Sequence, residues 1–199
     1  MKKIVLATKN AGKVDELKAL LKDHDVTVLS LLDLGYEPEI EEVGMTFIEN
    51  ALIKARTIFE EYGLLTIADD SGLEIDALDG RPGVDSAIYA GHPKDDQANM
   101  DKVLTELKNV PQSSRTARFR CTLVIIDEAG QEHVVHGKCE GRILDEKRGL
   151  NGHGYDPIFY VPEASLTMAE MTGAEKNTLS HRRKAFDQLE KMIEKLLKS

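Results

Sequence analysis

The sequence holds little that would tie it to a membrane, a nucleic acid or an oxidising compartment. Its two cysteines, Cys121 and Cys139, stand in no metal-ligand or redox spacing and fall in predicted strands. That argues against a disulfide scaffold or a zinc cluster and reads as two buried thiols in a reducing cytosol. No apolar run approaches the ~20 residues of a membrane-spanning helix, and the opening MKKIVLATKN has too short an apolar stretch for a secretory leader. A basic excess is missing too: 26 Lys and Arg against 35 Asp and Glu give a formal net charge of −9, unsuited to a general nucleic-acid coat. Nor does any repeat, low-complexity tract or Pro/Ser-rich linker divide the chain. These absences predict a cytoplasmic protein with no membrane or nucleic-acid polymer as partner. Its 199 residues, 41% hydrophobic, are read as a single domain over 1–199, large enough to be built as two lobes.

What is present follows an α/β pattern. Residues 2–7 read as a buried strand, and Val14, Leu17, Leu20 and Leu21 then fall at helical spacing behind Asn10, a suitable N-cap. Thr46 and Glu49 form a T-x-x-E capping box ahead of a second helix carrying Leu52, Ala55, Ile58 and Phe59, which Gly63 ends. LLTIA at 64–68 reads as a strand. Asp95 caps a third helix with Met100, Val103, Leu104 and Leu107. TARFRCTLVIID places Ala117, Phe119, Cys121, Leu123 and Ile125 on one strand face, EAGQ turns, and EHVVHGKCEGRILD returns as the second arm of a long hairpin. A last helix buries Phe186, Leu189, Met192, Ile193 and Leu196 behind Ser180 as N-cap.

Chemistry gathers at a few places. TKNAGK, at 8–13, sets two lysines where a strand meets a helix start, an arrangement that suits an anion because helix-start N–H groups carry partial positive charge; it is equally an ordinary turn. Asp69 and Asp70 come where the 64–68 strand is expected to give way to a turn, a position where open α/β sheets collect ligands. Two carboxylates beside Ser71 suit a hard cation such as Mg²⁺, although Asp-Asp-Ser-Gly is also ordinary turn chemistry. One of the adjacent Glu41 and Glu42 could complete such a site with Asp70.

SHRRK puts His181, Arg182 and Arg183 in the first turn of the last helix. That is the unfavourable end of its dipole for cations, so either an anionic ligand or a carboxylate from elsewhere in the fold is expected there. GLNGHGYDPIFYVPE is a glycine-rich loop that can approach a flat ligand or simply turn sharply over a buried Tyr155 and Phe159. Neither it nor TKNAGK matches a Walker A or dinucleotide fingerprint. The Asp69–Asp70 stretch is no EF-hand loop, and no nucleophile elbow surrounds Ser71. His133 and His136, three apart in a strand, face opposite ways and cannot share a metal.

Taken together, ATKNAGKVDEL, EEVGMTFIENALIKA, IADDSGLEIDALDGRPGVDSAIYAG, GHGYDPIF and LSHRRKAF, in this order from Leu6 to Phe186, resemble the inosine triphosphate pyrophosphatase family, also called Ham1-like or non-canonical purine NTP pyrophosphatases. The resemblance implies two α/β lobes around a long mixed sheet, an active site in the cleft between them, and a homodimer. It implies hydrolysis of dITP, ITP and XTP to the monophosphate and pyrophosphate with Mg²⁺. By motif, Thr8, Lys9, Asn10, Ala11, Gly12 and Lys13 would hold the triphosphate with help from Lys54. Glu42 and Asp70 would bind metal, Asp70 would orient or deprotonate the attacking water, and Ser71 would touch substrate. His153, Gly154, Tyr155, Asp156, Lys176, His181 and Arg182 would enclose the nucleoside. This chain departs from the family at His153, where phenylalanine is usual. With the ordinary aspartate pKa of about 3.9, Asp70 is expected to be ionised at neutral pH. A Maf-like pyrophosphatase and a nucleotide sensor without turnover are the competing readings.

Overall fold

The computed structural model describes residues 1–198. Its strands are β1 (Lys2–Leu6), β2 (Val26–Ser30), β3 (Leu65–Ile75), β4 (Thr116–Ile126), β5 (Glu132–Ile143), β6 (Phe159–Val161) and β7 (Leu166–Thr167). The α-helices are α1 (Ala11–Leu20), α2 (Phe47–Tyr62), α3 (Asp96–Glu106), α4 (Gly173–Leu179) and α5 (His181–Lys198). The strands form one mixed sheet in the order β2-β1-β3-β4-β5-β6-β7. β1 pairs in parallel with β2 and β3, whereas β6 pairs antiparallel with β5 and β7. The α/β mixed sheet expected from the motifs is therefore the observed fold. Among the described residues no helix is long and apolar enough to cross a membrane.

The described chain forms two compact units: residues 1–70, 122–136 and 185–198 in the first, residues 71–121 and 137–184 in the second. In the first, Val5 and Ala7 of β1 and its extension pack with Ala51, Ala55 and Ile58 of α2, Ala68 of β3, and Val124 and Ile126 of β4. Small alanines on α2 let that helix lie close to its strands. In the second, Phe119, Phe159, Met100, Val103 and Leu107 share a core with Tyr155 and Ile158. The rings of Phe119 and Phe159 sit 4.3 Å apart, and truncating a fully buried phenylalanine costs about 3–5 kcal/mol.

Local chemistry starts the helices where expected. The Asn10 side chain accepts from Lys13 N, that of Asp95 from Ala98 N, and Ser180 Oγ from Arg183 N at 3.1 Å. At α2 the box is half realised: Thr46 accepts from Glu49 N, but Glu49 Oε2 reaches Met45 N at 2.6 Å instead of the cap residue. Gly63 ends α2 in the left-handed region at φ 63°, where its missing Cβ removes the steric penalty. Cys121 and Cys139 are both buried, and neither forms a disulfide.

One expectation fails. The strand predicted over 64–68 runs on to Ile75, so Asp69 and Asp70 lie inside β3 and not at its end. Pairing on a neighbouring strand outweighs the turn preference of Asp-Asp-Ser-Gly, since strand propensity yields to context.

Candidate active site

In the first unit a network of opposite charges forms around β3. Asn10 caps α1, which places Lys13 in the first turn, and Lys13 Nζ reaches Asp69 Oδ2 at 2.6 Å. Asp69 is 3% exposed, so its carboxylate is withdrawn from water while Lys13 stays partly exposed. Lys9 Nζ donates to Glu37 O at 2.9 Å, and Thr8 Oγ1 accepts from Asn10 N. Both lysines of the TKNAGK loop are thus held by local partners. Ala11 and Gly12 form the exposed start of α1.

Asp70 is the centre of the arrangement. Burial pushes its carboxyl up to about 6. Lys54 opposes that shift, the nearby Glu42 and Asp69 charges add to it, and a hydrogen bond from Asn50 opposes it. The ordinary value expected from sequence is therefore wrong for this residue: a carboxylate partly withdrawn from water and set among like charges ionises less readily. Lys54 is the counter-ion. Burial works against its charge, but Asp69, Glu42 and Asp70 more than restore it and hold it above the usual lysine range. Its Nζ lies 2.8 Å from Glu42 Oε1. Glu42, rather than its neighbour Glu41, is the one drawn to Lys54.

Asn50 carried no role in the sequence reading. It is 3% exposed on α2, and its Oδ1 also accepts from Gly44 N at 2.7 Å. One asparagine thus steadies both Asp70 and the acidic loop leading into α2. The only available signal was an amide in an otherwise apolar helix face.

The donors around Asp70 are all oxygens, which suits a hard cation. Three carboxylates do not close on one point, however: among the described residues, the only trio of ligand atoms within 4.8 Å of one another lies elsewhere, at His24, Glu190 and Glu194. A cation beside Asp70 fits best as one held by two carboxylates with water and substrate phosphate completing its shell. That is the usual manner of Mg²⁺.

In the second unit, the glycine-rich loop folds around Asp156. Its Oδ2 accepts from Lys176 Nζ at 2.6 Å and from His153 N at 3.2 Å, and it is 4% exposed. Gly152, at φ 75°, brings its backbone against this carboxylate so closely that any Cβ would collide with Asp156 Oδ2. Gly154 N donates to Asp96 Oδ2. His153 itself is exposed. Tyr155 is buried and its hydroxyl donates to Ser86 O at 2.6 Å, so its ring belongs to the core and offers no open stacking face. Ser71 continues β3 just past Asp70.

Lys176 sits on α4, a short helix absent from the sequence reading, which opens with a full capping box between Thr172 and Glu175. His181 stacks on Phe119, with ring centroids 5.0 Å apart and planes 20° from parallel. Its Nδ1 is shielded from solvent and takes no hydrogen-bond partner among the described residues. Burial, reinforced by the positive charges of Lys176 and Arg182, pushes its pKa down to about 3. The imidazole is therefore neutral, and Arg182, Arg183 and Lys184 carry the charge that SHRRK suggested. His133 and His136 find separate partners, Asp127 and Thr122, and share nothing.

Comparison with known proteins gives one consistent result. The family model described as the Ham1 family matches residues 4–192. A dITP/XTP pyrophosphatase of Bacillus licheniformis is 52% identical over 194 residues, covering 98% of this chain and 99% of that one. A dITP/XTP pyrophosphatase of Bacillus subtilis is 50% identical, with 98% of each chain covered. The Ham1 protein of Staphylococcus aureus superposes with a TM-score of 0.92 at 41% identity, covering 97% of this chain and 98% of that one. A HAM1 protein from Coxiella burnetii gives 0.93 at 43%, covering 98% and 100%.

Proposed function

The chain belongs to the Ham1 family, and from that premise we propose that it hydrolyses dITP, ITP and XTP to the nucleoside monophosphate and pyrophosphate, clearing deaminated purines from the nucleotide pool. The observation that carries this reading is Asp70, a half-buried carboxyl pushed up to about 6 and flanked by Lys54, Glu42 and Asn50. A nucleotide sensor needs no such poised base, whereas hydrolysis does.

In this mechanism, Lys9, Lys13 and the N–H groups at the start of α1 bind the triphosphate, with Lys13 exchanging Asp69 for a phosphate oxygen. Lys54 stabilises charge as it develops on the leaving pyrophosphate. A divalent cation, Mg²⁺ in this proposal, would be held by Glu42 and Asp70 and would neutralise phosphate charge. Asp70 accepts a hydrogen bond from water, orienting its oxygen toward the α-phosphorus. As the new P–O bond forms, the bond to the β-phosphate bridging oxygen breaks, and the water proton passes to Asp70 or on to solvent. Ser71, next along β3, touches the substrate phosphates.

For the base, we assign the loop His153 to Asp156 together with Lys176, His181 and Arg182. Donors facing a 6-oxo group meet an acceptor in hypoxanthine and xanthine but an amino donor in adenine, leaving buried groups unpaired at about 1–3 kcal/mol each. Tyr155 contributes by fixing the loop backbone, and His153 offers a smaller stacking ring than the phenylalanine usual in the family. Substrate availability supports a cytoplasmic location, and the family resemblance supports a homodimer.

Pyrophosphate release from dITP, ITP, XTP, ATP and GTP, with Mg²⁺ and with chelator, tests the reading. Metal-dependent release from the first three is expected. Equal turnover of all five would end the specificity claim, and no release at all would leave a binder.

A further inference from the structure

The turn after α1 carries His24 in a fixed backbone: its N–H donates to Leu21 O at 3.0 Å, and its carbonyl accepts from Val26 N at 2.9 Å. On α5, Glu190 and Glu194 are one helical turn apart, and the buried Leu189 and Ile193 beside them anchor that stretch of helix. One ring nitrogen of His24 and one oxygen from each glutamate lie within 4.8 Å of one another. His24 and Glu190 are half-buried, and Glu194 is exposed. All three belong to the first unit, and none contributes to the network around Asp70.

We propose that His24, Glu190 and Glu194 form a second metal site, for a borderline transition ion of the Zn²⁺ class. An imidazole nitrogen with two carboxylates is a donor set that zinc and its neighbours accept readily, whereas Mg²⁺ prefers oxygen alone. Tetrahedral zinc ligands at about 2.0–2.2 Å from the metal stand roughly 3.3–3.6 Å from one another. Against the 4.8 Å within which its ligand atoms lie, the trio must draw in by at most about 1.5 Å to close on an ion, with water in the fourth position. Two like-charged carboxylates brought this close repel one another, and a cation turns that repulsion into attraction. The ligands come from residue 24 and from residues 190 and 194, so the ion cross-links positions distant along the chain. Such a long closure restricts the unfolded ensemble most. The site is thus a clip that fastens α5 to the α1–β2 turn, and it acts on stability and not on turnover.

The test uses the full chain in excess Mg²⁺, so that hard-cation sites are filled, titrated with ZnCl₂ against a chromogenic chelator. One equivalent is expected to bind and to raise the thermal midpoint. His24→Ala and Glu194→Gln should each weaken binding by more than about tenfold, the loss seen even for partners one shell further out, and should abolish the thermal gain. Mg²⁺-supported dITP hydrolysis stays unchanged in both. Glu194→Gln, at an exposed helix position, keeps the test decisive if His24→Ala folds poorly. Zinc uptake that persists in both variants overturns the proposal. So does uptake lost in Asp70→Asn instead, or none by the wild type at micromolar zinc.

Discussion

Lys13 Nζ lies 2.6 Å from Asp69 Oδ2, tying the first turn of α1 to a buried carboxylate of β3. The pair protects a carboxylate that burial would otherwise penalise, and in the proposed mechanism the same lysine turns to the triphosphate. Two roles therefore rest on one lysine.

Lys13→Met should separate those roles. It leaves Asp69 buried without its lysine, a loss of about 3–5 kcal/mol for a fully buried pair, lowered here to roughly 1–3 kcal/mol because the lysine keeps some contact with water. Adding Asp69→Asn should recover much of the stability in urea titrations but none of the dITP affinity.

Asp70→Asn is expected to retain the fold by circular dichroism and to lose kcat by about 10²- to 10⁴-fold, the usual range for a general base. Pyrophosphate release from dITP under Mg²⁺ is the measurement. Wild-type kcat in that variant would remove Asp70 from the chemistry.

Arg182→Ala should narrow base discrimination. The ratio of kcat/KM for ITP over ATP is expected to fall by roughly tenfold or more, as for loss of one buried donor. An unchanged ratio would move discrimination to Lys176 or to the loop backbone.

His181 gives a pH signature. Its pKa is pushed from the ordinary 6.5 down to about 3, so between those values the unfolded chain binds a proton that the folded one refuses. The stability it contributes is complete above about pH 6.5 and is lost as pH falls toward 3. Urea midpoints at pH 7 and pH 5 should therefore drop further for the wild type than for His181→Gln. Equal drops would mean that the imidazole titrates normally.

The helix starts were legible because their signals are local. Asn10, Thr46, Asp95 and Ser180 each cap through a side chain three residues from its donor. The hairpin was legible for the same reason, its period-2 alternation being continuous from Ala117 to Ile125. β3 was not, because its extension through Asp69 and Asp70 depends on neighbouring strands distant in sequence. The same distance hid the Asp70–Asn50 hydrogen bond and the stacking of His181 on Phe119. It also hid the upward shift of Asp70, since desolvation belongs to a position in the fold and not to a residue type.

Ser180 ends α4 with its own N–H on Lys176 O and starts α5 with its side chain on Arg183 N. Two helices therefore meet with no spare residue between them. The interval from Lys176 to Arg182 works as a ruler graduated in peptide bonds, and inserting one residue would swing whatever follows by about 100° of helical phase. Under the proposed assignment, base recognition can drift here by exchange of side chains, but not by change of length. Insertions and deletions should find room instead at the exposed turn around Gly130.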